Sequence, residues 1–297
     1  MITITAYEPA FESDWDAFVK GSRTGIFMLQ RPYMDYHGDR FEDASIVARD
    51  GDKILGLLPA HRVGDEIHSH RGLTFGGFII QAAMTMPRMQ AIFQALLAFL
   101  GTRGISKLNY APIPHIYHRY PSEEDLYVLF ELGAVLRQRQ VLSVIDMSAR
   151  LPWQTRRRRG VKRAAKMGLT VQQSEDWAAY WRLLGAQLEQ RYNSTPVHTL
   201  DEITMLQRKF PSNIKLHTCR KTGGEIEAGI VIYESKQVAR TQYIASSDHG
   251  RQIGAVDFLF SNLLDGIYAG KPFFDFGSSN GTDGNGLAAG LLAQKEG

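Results

Sequence analysis

Residues 214–246 decide the fold of this chain, and they read IKLHTCRKTGGEIEAGIVIYESKQVARTQYIAS. Three stretches rich in β-branched and aromatic residues lie within them, at 214–219, 226–233 and 238–245. Between the first two, Thr222-Gly223-Gly224 is typical of a hairpin turn. The segment therefore predicts three consecutive strands.

The sequence around these strands predicts an order of elements that occurs twice. In the second half, helices precede the strands and a helix, a strand, a glycine-rich loop and a last helix follow, at 177–191, 200–209, 254–268, 272–276, 277–286 and 287–296. In the first half the same kinds of element are expected at 12–20, 31–40, 44–49, 53–63, 67–80, 87–100, 105–113, 122–132 and 135–147. We expect two mixed α/β domains, 1–149 and 150–297, with the closing strand of the second missing.

Composition excludes several classes of protein. Apolar residues make up 44% and charged residues 22%, which is typical of a soluble globular chain. No stretch approaches 18 apolar residues and no leader is recognisable, so we expect a cytoplasmic protein without membrane insertion. The single cysteine, Cys219, excludes an intramolecular disulfide.

The net charge of +3 is unevenly distributed. Residues 150–166 carry eight basic side chains and no acidic one, so subtracting 8 from +3 leaves −5 for the rest. This argues against a protein that coats nucleic acid with its whole surface.

The order of three strands, helix, strand and helix, preceded by helices and repeated in tandem, resembles that of the GNAT acyltransferase superfamily. The arginine-rich stretch 157–169 and KPFFDFG at 271–277 are similar to the Fem-type transferases, which add amino acids to peptidoglycan precursors. A branch of bacterial GNAT-type proteins has phrases similar to GIFMLQRPYMDYHGDRFEDAS (25–45), SHRGLTFGG (69–77), PVHTLDEI (196–203) and QYIASSDHG (242–250).

This resemblance implies an N-acyltransferase. Its donor would be acetyl-CoA or another acyl-CoA, or an aminoacyl-tRNA, and its acceptor an amine of a cell-envelope sugar or peptide precursor. The alternative is a non-catalytic GNAT-like module that binds an anionic ligand or RNA through residues 150–166.

The candidate donor site lies at the start of the helix predicted after the third strand. Ordinary GNAT enzymes bind coenzyme A with Gln/Arg-x-x-Gly-x-Gly/Ala, and RQIGAV at 251–256 keeps the arginine and first glycine but ends in valine. Helix N-termini bind phosphate groups, and the alternative is a plain turn before a core helix. The candidate residues are Asp248, Gly250, Arg251, Gly254 and Ala255.

Two residues are candidates for the chemistry. Tyr243 lies on the strand leading into that loop, where it would transfer a proton or orient the acceptor, or simply pack. Asp275 lies between two phenylalanines and therefore points to the opposite face of its strand, where it would act as a base or an amine anchor. We predict that both face one cleft.

Other polar residues are candidates for binding the acceptor. They are Tyr36, His37, Arg40, His70 and His198, together with Arg157, Arg158 and Arg159. For each of them a structural hydrogen-bonding role, or a solvated helix face for the arginines, is the alternative. His68 and His70 share a strand face, but no third ligand has suitable spacing, so we predict no metal site.

Overall fold

The computed structural model describes residues 1–69, 72–281 and 286–296. The chain divides into two compact units, Met1–Leu136 and Arg137–Gly297, and each mixes helices with sheets. Among the described residues, no helix is long and apolar enough to cross a membrane.

The first unit has two four-stranded sheets. Strands β1, β3, β4 and β7 form an antiparallel sheet in that order, and β2, β5, β6 and β8 form the second, in which β8 is parallel to β6. Its elements are β1 Ile2–Ala6, α1 Glu12–Gly21, α2 Arg31–Met34, β2 Glu42–Asp43, β3 Ile46–Asp50, β4 Lys53–Leu58, β5 His61–Val63, β6 Glu66–His68, β7 Ile79–Ile80, α3 Met86–Thr102, β8 Lys107–Asn109 and α4 Glu124–Glu131.

Two long strands expected in this unit are divided. The predicted strand 53–63 breaks at Pro59, which has no N–H for a sheet ladder, and its two pieces join different sheets. The predicted strand 67–80 breaks in the same way around its glycines. Helix α3 places an apolar stripe that includes Met89, Ile92 and Leu96 in the core of the unit.

The second unit is built on one six-stranded sheet. Its strands are arranged β10-β11-β12-β13-β14-β9, antiparallel except for the parallel pair β13 and β14. Its elements are β9 Leu142–Asp146, α5 Thr155–Lys166, β10 Leu169–Gln173, α6 Trp177–Tyr192, α7 Leu200–Lys209, β11 Ile214–Lys221, β12 Ile226–Glu234, β13 Val238–Ser246, α8 Asp248–Ile253, α9 Ala255–Asn262, β14 Phe273–Ser278 and α10 Ala289–Lys295. Local caps fix the starts of two helices: Asp176 for α6, and Thr199 with Glu202 for α7.

The segment expected to close the first domain belongs to the second unit. Strand β9 pairs antiparallel with β14, and Ile145 packs against the core of that unit. We expected the second domain to lack its closing strand; in the structure the strand beside β14 is β9, which precedes the unit's other elements. The two units divide after Leu136, whereas the expected boundary followed residue 149.

Different helices pack on the two faces of this sheet, α9 on one and α6 on the other. Ile230 and Ile232 of β12 belong to a core cluster that includes Leu259 of α9. Side chains that alternate to the other face meet α6, whose Tyr180 ring lies directly over Gly229. Only a residue without a side chain allows this close approach.

We expect Gly229→Ala to destabilise the second unit by about 1–3 kcal/mol, because overpacking a filled core costs that much. A Cβ at this position would lie 2.5 Å from Tyr180 Cε2. The matched control is Gly185→Ala in α6, where a Cβ meets no atom within 4 Å and alanine favours the helix. Thermal melts should show a lower midpoint for the first variant and an equal or higher one for the second; equal midpoints for both would contradict the packing argument.

A buried histidine makes stability depend on pH. His217 is 1% exposed, and its Nε2 lies 2.9 Å from the hydroxyl of Tyr268. Burial, followed by the positive charge of Lys215, lowers the pKa of His217 from 6.5 to about 4. As pH falls below 6.5, His217 therefore binds a proton in the unfolded chain, whereas in the folded chain it stays neutral until about pH 4.

The expected result is a progressive loss of stability between pH 6.5 and 4, on the order of 3 kcal/mol from this residue. In His217→Gln the side chain does not titrate in this range, so the difference between its melting temperature and that of the wild type should change with pH. Melts at pH 7 and pH 4.5 measure this difference. Parallel pH dependence in the two proteins would rule out His217 as the source.

Candidate active site

Strands β13 and β14 pair over only three positions. Their register joins Val238 to Phe273, Ala239 to Phe274 and Arg240 to Asp275, and β13 then continues to Ser246 without β14 beside it. Ligands in open α/β sheets bind at the carboxyl ends of parallel strands, where such a gap opens. The parting of β13 from β14 is therefore the candidate site, and we call it the opening.

A β-bulge sets the direction of Tyr243 at the opening. The β12–β13 register passes from Ile232–Thr241 to Val231–Tyr243, which leaves Gln242 as an extra residue. Because Ile232 lies on the α9 face, its neighbour Val231 and the paired Tyr243 lie on the α6 face. The bulge thus turns Tyr243 to the same face as Asp275, whose neighbour Phe274 lies in the α9 core.

The Tyr243 hydroxyl is held by His198. It lies 2.5 Å from Nδ1 of His198, and the backbone N–H of His198 donates to it at 3.4 Å. When Nδ1 carries no proton, Tyr243 donates its own proton to it. Trp181 of α6 supports both partners, since its indole N–H donates to the His198 carbonyl at 3.1 Å and its ring meets Tyr243 edge-on at 5.2 Å.

Asp275 is fully buried, with 0% exposure. Its Oδ1 accepts a hydrogen bond from Gly277 N–H at 2.7 Å, and its Oδ2 lies 3.8 Å from Arg240 Nε. Gly277 has a φ of +75°, a conformation that favours glycine. Its carbonyl and that of Ser278 both accept hydrogen bonds from the Lys295 ammonium. These contacts favour a role in shaping the end of β14 over direct proton transfer.

The predicted donor loop is engaged in internal contacts. Ser247 caps α8 by accepting from Gly250 N–H at 2.7 Å, and Gly250 itself is buried against the Glu227 carbonyl. Arg251 pairs with Asp248 and donates to the Ser246 carbonyl at 2.9 Å. These groups already have protein partners.

Helix α5 covers the next part of that loop. Gly254 has a φ of +83°, and a Cβ there would lie 2.6 Å from Gly160 Cα of α5. Ala255 is buried, and Asp257 adds a carboxylate to the first turn of α9. Gly160 and the Asp257 carboxylate, which pairs with Arg157, close the surface at this helix start, so the residues present do not fit the pyrophosphate of coenzyme A.

The three predicted anion-binding arginines have different environments. Arg157 donates to Asp257 Oδ1 at 2.9 Å and to the Gln294 carbonyl at 2.6 Å. Burial raises the pKa of Asp257, and the charge of Arg157 opposes that rise. Arg158 and Arg159 are exposed on α5, where Arg158 donates to the Thr155 hydroxyl at 3.2 Å.

The acceptor candidates of the first unit lie together just after α2. Tyr36 stacks on His37 at 4.3 Å, and His37 Nδ1 lies 2.6 Å from the Met34 carbonyl. Burial lowers the pKa of His37, which packs against Gly72. Arg40 is exposed, whereas His70 lies outside the described residues. His198 is in the second unit with Tyr243.

Sequence reasoning missed Trp181, Gly160 and Asp257. A glycine inside an arginine-rich helix is a signal for close packing that was present in the sequence. Trp181 gave no comparable signal, because its role depends on contacts made across the fold. Among the described residues, no three His, Cys, Asp or Glu side chains are grouped to hold a metal ion.

No family model matches the sequence, and no curated protein does either. Solved structures do match. FemX has a TM-score of 0.67 at 12% identity, over 98% of this chain and 92% of that one. The chain has a Fem-like tandem GNAT fold.

Two further structures share this Fem-like fold. L-PGS from Bacillus licheniformis has a TM-score of 0.59 at 15% identity, over 96% of this chain and 82% of that one. A tandem GNAT protein from the clavulanic acid biosynthesis pathway has a TM-score of 0.50 at 10% identity, over 100% and 94%. At these identities the likeness concerns the fold.

We expect the exposed arginines of α5 to bind polyanions and Arg157 to support the fold. Replacing Arg158 and Arg159 by Gln should weaken binding of a short RNA duplex and lower its salt slope by about 1–2, without changing the melting temperature. Arg157→Gln should instead lower the melting temperature, because it leaves the half-buried Asp257 without its cation. Fluorescence anisotropy at several salt concentrations and thermal melts separate the two effects. Unchanged RNA affinity in the double variant would assign that face of α5 to solvent.

Proposed function

We propose that this chain is an N-acyltransferase that moves an acyl or aminoacyl group to an amine of a cell-envelope sugar or peptide precursor. The observation that carries the proposal is the Tyr243 hydroxyl bonded to His198 beside the opening between β13 and β14. The fold-level likeness to FemX supports it.

The pair supplies the proton transfer that such a reaction needs. An amine is protonated at neutral pH and attacks a carbonyl only after losing a proton. The Tyr243 oxygen takes that proton while its own proton passes to His198 Nδ1. The amine nitrogen then bonds to the acyl carbon as the bond from that carbon to the leaving oxygen or sulfur breaks. The leaving group takes the proton held at His198 back through the Tyr243 oxygen, and the second proton of the amine nitrogen is released to solvent.

Asp275 acts as a positioning residue in this proposal. Its carboxylate fixes the Gly277 turn and lies beside Arg240, at the last paired position of β13 and β14. It therefore controls where the opening begins. Asp275→Asn keeps an oxygen that accepts from Gly277 N–H, so its effect should be smaller than that of removing the Tyr243 hydroxyl.

For the donor we favour aminoacyl-tRNA over acyl-CoA. The closed contact between Gly254 and Gly160 disfavours a pyrophosphate at the loop. Exposed cations along α5 are suited to a phosphate backbone. These cations also favour a second candidate function, a non-catalytic module that binds RNA, which differs from the first in having no turnover.

The test is transfer of a radiolabelled amino acid from a mixture of aminoacyl-tRNAs to amine acceptors, with acetyl-CoA as a parallel donor. We expect transfer from tRNA and none from acetyl-CoA. Tyr243→Phe should slow transfer by roughly 100-fold to 10,000-fold with an unchanged melting temperature, because it removes the proton carrier. Asp275→Asn should lose roughly tenfold or less.

Two results would contradict the proposal. RNA binding without transfer to any acceptor would favour the non-catalytic module. Near-normal turnover in Tyr243→Phe would move the chemistry away from the opening.

A further inference from the structure

Helix α4 of the first unit presents an apolar face to solvent. Leu126, Tyr127 and Phe130 share this face at spacings of three and four residues, and Phe130 is 80% exposed. The opposite face is the packed one, since Val128 lies in the core of the unit. Exposed apolar side chains continue past the end of the helix at Leu132, Val135 and Leu136. A contiguous surface of this kind is typical of an interaction site.

The charge around this face is negative. Residues 121–136 contain four acidic side chains and no basic one. Arg23 neutralises Glu124, whereas the carboxylates of Glu123 and Glu131 are exposed at the two ends of the helix. The occupant of the face should therefore be cationic as well as apolar, and an anionic lipid surface is disfavoured.

A cleft beside the helix has room for an inserted side chain. Its volume is about 660 Å³, and Met86, Pro121 and Tyr127 contribute to its apolar lining, with Glu123 next to them. Interfaces are commonly anchored by an apolar side chain that fills such a pocket. An apolar residue with cations on either side of it along its own chain would match both the lining and the carboxylates.

A segment with this chemistry occurs in the second unit. Leu151 is 87% exposed, and apart from Met1 it and Phe130 are the most exposed large apolar side chains that the structure describes. It lies in a stretch without helix or strand, directly before the arginine-rich α5. Residues 150–166 carry eight basic side chains and no acidic one. The two surfaces are thus opposite in charge, and each exposes an apolar side chain.

We propose that the α4 face binds the segment 150–159 of a second copy of this chain, with Leu151 in the cleft. The inference goes beyond the proposed function, because it concerns assembly and not transfer. Two different surfaces that pair between copies close a dimer when both copies exchange the contact, and otherwise extend into a chain of copies. Either assembly covers Phe130 and Leu151. Since Arg158 and Arg159 are also the proposed RNA contacts, RNA and a second copy would compete for α5.

Sedimentation velocity of the full chain over a wide range of concentrations measures the assembly. We expect self-association that added salt weakens, because opposite charges contribute to it. Phe130→Ser and Leu151→Ser should each weaken it by roughly tenfold or more, because each removes a large apolar side chain from the contact. The matched control is Tyr192→Ser, an exposed aromatic residue outside both segments, which should leave association unchanged.

Charge reversal tests whether these two surfaces meet each other. One variant carries Glu123→Arg with Glu131→Arg, and a second carries Arg158→Glu with Arg159→Glu. Each variant alone should stay monomeric, because its two surfaces now have the same sign, whereas an equimolar mixture should associate again. Surfaces that were merely damaged by the substitutions would not be rescued by mixing.

A wild type that stays monomeric at every concentration would overturn the proposal. So would association that Phe130→Ser leaves unchanged or that mixing does not restore. Flotation with phosphatidylglycerol vesicles tests the other occupant: vesicle binding that Phe130→Ser abolishes, without self-association, would assign the face to lipid and overturn the proposal as well. None of these measurements involves turnover, so the transfer assay remains the separate test of the proposed function.

Discussion

The candidate site of the second unit exists because β13 and β14 stop pairing after three positions. Parallel strands that continued together would satisfy the β13 edge and leave no room for a substrate. Pairing ends at Arg240 and Asp275, whose charged side chains lie 3.8 Å apart beneath the opening. Burying these charges is favourable only with partners, and Gly277 N–H supplies one for the carboxylate. The polar cluster thus fixes the point of parting.

An opening on one side of β14 requires support on the other. Strand β9 supplies it, because its register with β14 runs on to the pair of Leu142 with Ser278, past the position where β13 departs. The edge that faces away from the opening is therefore paired. Because β9 pairs with one edge of β14, β14 needs no partner on its other edge beyond Asp275. The β13 edge at that point bonds to Gln187 and Arg251 instead of to a strand.

The sequence predicted the strands of this site better than its geometry. Residues 214–246 are dense in β-branched side chains, so β11, β12 and β13 were found, and alternation correctly put Asp275 on the face opposite Phe274. Strict alternation would put Tyr243 on the face opposite Arg240. The extra residue Gln242 reverses this, and a bulge depends on strand register, which local sequence does not specify. The contact of His198 with Tyr243 is likewise non-local.

The position of α5 links the closed loop to the proposed donor. Where loop amides bind a pyrophosphate, a few backbone groups fix one compact anion. Here Gly160 lies against Gly254, and Arg157 forms an ion pair with Asp257. The face of α5 that carries Gly160 and Arg157 therefore packs on the rest of the unit. Arg158, Arg159, Lys162 and Lys166 remain on its exposed surface. Long side chains spread along a helix match phosphates spaced along a nucleic-acid backbone better than one pyrophosphate, and this is the physical reason for favouring a tRNA donor.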